Sequence, residues 1–187
     1  MIPLILLAQA CAPFVPPATM LEVVRVESGG QPLALNVNGL PPGQQPHPRS
    51  LPEAVQAAAY HIAQGRDVDV GLVQINSRNL PALGYSLVQA FDPCSNLRGG
   101  GVILTANYLG AVRKYGPGLL SLQVALSLYN TGDLERGFAN GYVGRYFPLG
   151  APSIPVHPSI TVRALRPRDL PPGRVRDQAN ESDPSSQ

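Results

Sequence analysis

The sequence predicts a mainly α, α+β chain: a single helical domain with a small β or irregular insert and a disordered C-terminal tail. Three observations carry this. Apolar residues recur at helical spacing in several segments of the first 147 positions. A stretch rich in Pro, Gly and Asn, followed by an alternating segment, interrupts those helices. From Pro148 onward the chain is rich in Pro, Ser and Arg without periodicity, a composition that does not bury a core. The expected division is a domain over 1–147 and a Pro-rich tail over 148–187.

The elements follow in order. MIPLILLAQAC has an apolar run and an Ala-Gln-Ala triplet, so it reads as a first helix over 3–10 or as a signal peptide. It lacks a basic flank and is too short to span a bilayer, and the first helix is the favoured reading. Residues 19–28 are helical, with Thr19 and Glu22 in capping-box spacing and Gly29–Gly30 as the stop. Residues 31–50, with their Pro, Gly and Asn, form a loop or short hairpin. Residues 52–64 open on Pro52 and Glu53 and end at Gly65, the order expected of a helix. DVDVGLVQIN at 67–76 allows a short strand and leads into a helix-like SRNLPAL. Leu97, Val102, Ile103, Tyr108, Leu109 and Val112 mark a helix over 95–115. Leu119, Leu122, Val124, Ala125, Leu128 and Tyr129 mark another over 118–130. A short helix near 133–140 closes the series.

Composition limits the function. Of 187 residues, 44% are hydrophobic and 14% charged, which supports a buried core. A net charge of +2 is too small to argue for nucleic acid or a membrane surface. Cys11 and Cys94 lack the His neighbours of a metal site; they are two buried thiols or, in an oxidising compartment, a disulfide. The three histidines, His47, His61 and His157, form no Ser-His-Asp pattern. No phosphate-binding glycine loop and no cofactor motif is present.

One carboxylate stands out. Glu27 follows Val23, Val24 and Val26 at the C-terminal end of a helix. Apolar surroundings and the negative end of the helix dipole both disfavour its charge. Its pKa should therefore exceed the usual value of about 4.3, which suits a general acid. The plainer alternative is a surface Glu paired with Arg25. In GLVQIN, Gln74 and Asn76 offer amides that donate and accept, as N-acetyl sugars require; the alternative is a strand with two solvated amides. Tyr129 and Asn130 end an apolar helix before Gly132, placed for a ligand or for capping. Asp67, Asp69, Asp92, Asp133 and Glu135 lack the apolar setting of Glu27.

The order VESGG, GLVQIN, ALSLYNTGD resembles the Glu-Ser, Gly-Leu-Met-Gln and Ala-x-x-Tyr-Asn motifs of lysozyme-like lytic transglycosylases. With LAQACAP, AFDPCSNL and GFANGYV added, the chain is similar to the VirB-type transglycosylases of type IV secretion and conjugation systems over nearly all of 1–147. The resemblance implies a lysozyme-like fold and cleavage of peptidoglycan between N-acetylmuramic acid and N-acetylglucosamine, leaving a 1,6-anhydro sugar. It implies Glu27 as the single catalytic acid, with Tyr129 within its reach. Gln74 and Asn76 would line the sugar cleft, Asn130 would follow Tyr129, and Ser28 would pack or cap. It also implies a Cys11–Cys94 disulfide, a periplasmic location, glycan strands and secretion components as partners, and no cofactor or metal. Val73 stands where Met is commoner, and Asn36 where many relatives have Ser. Two other hypotheses are a muramidase using Asp67 or Asp69 to activate water, and a non-catalytic assembly factor.

Overall fold

A computed structural model describes residues 3–147. The expected tail, 148–187, lies outside the described residues. The first helix, α1 (Leu4–Cys11), buries Ala8 and Cys11 and packs on α2 (Pro17–Glu27). α2 starts two residues before the expected Thr19. Pro17 takes the first helical position, where its fixed φ and missing N–H cost nothing. Thr19 is thereby carried inside the helix and buried, and the expected capping box does not form. A capping box does form at Ser86 and Gln89, opening α5 (Leu87–Phe91), a helix absent from the sequence reading.

The insert is a three-stranded antiparallel sheet of β1 (Leu35–Val37), β2 (Val68–Val70) and β3 (Ile75–Asn76), in that order. β1 comes from the stretch expected to be a loop or short hairpin. Leu35, Val37, Val68, Val70 and Ile75 are buried on one face. The two-residue period turns Asn36, Asp69 and Asn76 to the other, and the register pairs Asn36 with Asp69 and Asp69 with Asn76. α3 (Leu51–Ala63) packs against β1, β2 and α5. Ser50 caps it by accepting from the Glu53 N–H. A 3-10 turn over Ser77–Asn79 runs into α4 (Leu80–Leu83), matching the helix-like reading of SRNLPAL.

The 23-residue α6 (Pro93–Tyr115) is the axis of the fold. Asp92 caps it by accepting from the Ser95 N–H at 2.8 Å. A disulfide between Cys11 and Cys94, 83 residues apart, ties α1 to its first turn. Three consecutive glycines let neighbours approach its backbone. A Cβ on Gly99 would meet Ile75 and Tyr85, one on Gly100 would meet Val73 and the Tyr129 hydroxyl, and one on Gly101 would meet Phe14 and Ala12. α7 (Leu119–Thr131) packs along α6, followed by α8 (Arg136–Ala139) and a 3-10 turn over Val143–Tyr146. Among the described residues no helix is long and apolar enough to cross a membrane.

Candidate active site

Glu27 is the last residue of α2 and half-buried. Its Oε1 accepts a hydrogen bond from the Tyr142 hydroxyl, and the Tyr146 hydroxyl lies 3.5 Å from the same oxygen. The two tyrosine hydroxyls are 2.6 Å apart and their rings meet edge to face. Burial pushes the Glu27 pKa from its ordinary 4.5 up to about 7. The Tyr142 bond opposes this because its donor stabilises the ionised form, and the Asp69 charge adds to it; Tyr146 and Arg145 pull down more weakly. Burial and the neighbouring Glu27 charge push both tyrosines well above the ordinary phenol range, so they act as donors.

Neither Tyr142 nor Tyr146 was singled out from the sequence. Their four-residue spacing in GYVGRYF is the available signal, but it lies beyond the last helix expected from periodicity. Tyr129, expected within reach of Glu27, is near enough to feel its charge, and its hydroxyl donates to the Val73 carbonyl at 2.7 Å. Its hydroxyl sits above Gly100, where no side chain intervenes. Burial, then the Glu27 charge, raises its pKa well above the ordinary value. Tyr129 therefore braces the loop beside the acid rather than bonding the acid itself.

That loop joins β2 to β3 and is held from several sides. Asn96, buried on α6, accepts from the Val73 N–H at 2.9 Å and donates to the Val70 and Ala90 carbonyls at 2.9 and 2.7 Å. Sequence reasoning passed over Asn96, since an Asn near a helix start looks like an ordinary cap. Ser28, just after the acid, donates to the Leu72 carbonyl at 2.7 Å and accepts from the Gly30 N–H, pinning the end of α2 to the loop. Gln74 has φ 49°, a left-handed conformation rare outside glycine. Its Nε2 donates to the Gly71 and Ala34 carbonyls at 2.9 and 3.2 Å. Those bonds hold the strained turn and leave Oε1 without a partner among the described residues.

Asp69 occupies the polar face of the sheet. Its Oδ1 accepts from Asn76 at 2.7 Å, and its Oδ2 from Asn38 at 3.0 Å and Asn36 at 3.3 Å. Burial raises its pKa despite these three donors. Asn76 thus holds Asp69 and also caps the following turn through the Arg78 N–H. Asp67 pairs with Arg78 beside this cluster, near enough for its charge to add to the upward push on the Asp69 pKa. Asn130 is exposed and its Oδ1 accepts from Asn140 at 3.0 Å, while Asn140 accepts from the Tyr142 N–H at 2.9 Å. Asn130 thereby reaches the acid indirectly, by steadying the segment that carries Tyr142. Among the described residues no cluster of His, Cys, Asp or Glu could hold a metal ion.

The site presents one protonatable carboxyl in a desolvated corner, phenol donors on it, and a second carboxylate on the facing sheet. Such a set can deliver a proton to a leaving oxygen and take one back. Residues 5–146 match the Transglycosylase SLT domain family. The chain is 42% identical over 139 residues to the type IV secretion system protein virB1 of Brucella abortus biovar 1, covering 74% of this chain and 58% of that one. It is 36% identical over 164 residues to the protein virB1 of Agrobacterium fabrum, covering 88% and 64%. It is 37% identical over 136 residues to the protein virB1 of Rhizobium radiobacter, covering 73% and 56%. The chain thus spans between 56% and 64% of the length of these relatives. No solved structure matches it. With the family's domain matched from α1 through the Tyr142–Tyr146 turn, this chain belongs to the SLT transglycosylase family.

Proposed function

We propose that residues 1–147 are a lytic transglycosylase domain acting on peptidoglycan glycan strands, with Glu27 as its only acid and base. The observation that carries this is Glu27 itself: half-buried, bonded by Tyr142, and with burial pushing its pKa up to about 7. The neutral carboxyl gives its proton to the glycosidic oxygen between N-acetylmuramic acid and N-acetylglucosamine. The C1–O bond breaks and positive charge develops on the muramoyl ring. The Glu27 carboxylate then takes the proton of the C6 hydroxyl as that oxygen bonds to C1. The products are a 1,6-anhydromuramoyl end and a free N-acetylglucosamine hydroxyl, with no water consumed and Glu27 reprotonated.

Tyr142 keeps the carboxyl oriented and limits how far burial raises its pKa. Gln74 Oε1 and the Asn36–Asn38–Asn76 row supply polar contacts for sugar hydroxyl and N-acetyl groups. The likeness to virB1 proteins supports a role in opening the wall for a type IV secretion or conjugation apparatus, hence a periplasmic site of action. Replacing Glu27 by Gln keeps shape and removes the titratable proton. Digestion of purified cell wall by Glu27→Gln, measured as turbidity loss beside the wild type, is expected to fall by a factor of about 10² to 10⁴. Wild-type turnover by the folded variant would sink the assignment.

One observation favours a second reading. Asp69 is close enough for its charge to raise the Glu27 pKa, and its own pKa is raised as well. A carboxylate across the cleft from the acid could activate water, giving a muramidase on the same fold. That reading requires reducing-end products and their loss in Asp69→Asn. Retained anhydro products in Asp69→Asn would exclude it.

A further inference from the structure

The net charge of +2 conceals a local segregation. The α6–α7 hairpin, residues 93–132, contains no Asp or Glu, but carries Arg98, Arg113 and Lys114. Two of these cations stand at its tip, beside the Gly116-Pro117-Gly118 turn. The apolar side chains flanking that turn face outward: Tyr115 is 39% exposed, Leu119 43% and Leu120 50%. Lys114 Nζ lies 5.0 Å from the centre of the Tyr115 ring. The ion pairs among the described residues are Arg25–Glu22, Arg78–Asp67 and Arg136–Asp133, so none neutralises the tip.

Single exposed apolar residues are ordinary. Three on one turn, beside two adjacent cations and remote in sequence from any acid, form a different kind of surface. Its exposed apolar side chains and the paired cations beside them match the boundary between headgroups and acyl chains of an anionic bilayer, where rings and Leu side chains insert and cations meet phosphates. We propose that the α6–α7 tip is a docking surface for an anionic lipid bilayer. Leu119 and Tyr129 are ten positions apart on α7, about 15 Å along its axis. Docking at the tip would therefore hold the membrane at the far end of α7 from the Tyr129 brace, leaving the Glu27 cleft open toward the wall.

The chain contains no Trp, so Leu120→Trp in the full chain gives a single reporter at the tip. Its emission is expected to shift blue with phosphatidylglycerol-containing vesicles and not with phosphatidylcholine alone. Adding Arg113→Gln and Lys114→Gln is expected to weaken vesicle binding roughly 30-fold, from the usual contribution of two interfacial cations. Leu119→Ser with Leu120→Ser should lower co-sedimentation without altering wall digestion, because neither side chain approaches the acid. Absence of the blue shift would overturn the proposal and leave the tip to a protein partner. Sedimentation unchanged in both sets of variants would overturn it too, assigning vesicle binding to another surface such as the arginines of the tail.

Discussion

Burial and hydrogen bonding pull on Glu27 in opposite directions, and burial wins. On the proposed mechanism the neutral carboxyl is the active form, so wall digestion should decline as pH rises through about 7. Removing the Tyr142 hydroxyl removes the donor that favours the anion. Tyr142→Phe should therefore move the alkaline limb of the pH–rate profile upward and lower the rate through poorer orientation, whereas Asp69→Asn should move that limb downward. Pooled pH–rate curves of the three proteins check both signs. Stability follows the same proton. The folded pKa lies above the ordinary one, so the Glu27 contribution is fully present below about 4.5 and is lost as pH rises through about 7. Glu27→Gln should match the wild type near pH 4.5 and exceed it at pH 8, by up to roughly 3 kcal/mol in urea unfolding. At this scale Glu27 was legible, because local apolar neighbours and a helix end are written side by side. Tyr142 and Tyr146 were not, because their meaning depends on a return of the chain across more than a hundred residues.

The elements that place the acid are held by groups with no spare partners. Asn96 satisfies three buried backbone groups at once. Asn96→Ala would remove a hydrogen bond from each of the Val73 N–H and the Val70 and Ala90 carbonyls, at a cost of roughly 3 kcal/mol. A lower urea midpoint with an unchanged slope would register it. Gly100→Ala is expected to displace Val73 and the Tyr129 hydroxyl, so both stability and wall digestion should fall. Periodicity showed most helices here but misplaced a start. Pro17 outweighed Thr19 because a proline at the first helical position needs no cap. β1 was left ambiguous because a three-residue strand is too short to display alternation against its Pro- and Asn-rich surroundings. The glycine run, which sequence alone would count against a helix, is instead what lets α6 touch its neighbours closely.

Across the whole molecule, the acid on α2, the loop between β2 and β3, and the tyrosines after α8 come from three separate stretches of the chain. α6 gathers them: Asn96 holds the loop, Gly100 admits Tyr129, and Cys94 ties in α1. A crosslink closing a loop of 83 residues stabilises by about 4 kcal/mol through unfolded-chain entropy. Cys11→Ser with Cys94→Ser should therefore lower the urea midpoint, while the wild type should show the same loss under reductant. The cysteines alone left thiols and disulfide equally open; only the motif order favoured pairing. The measurement that tests the central claim most directly is mass analysis of wall fragments released in ¹⁸O-labelled water. Glu27 acting alone, with the C6 hydroxyl as nucleophile, predicts anhydromuramoyl ends carrying no label. Labelled reducing ends would contradict it and establish water as the attacking group.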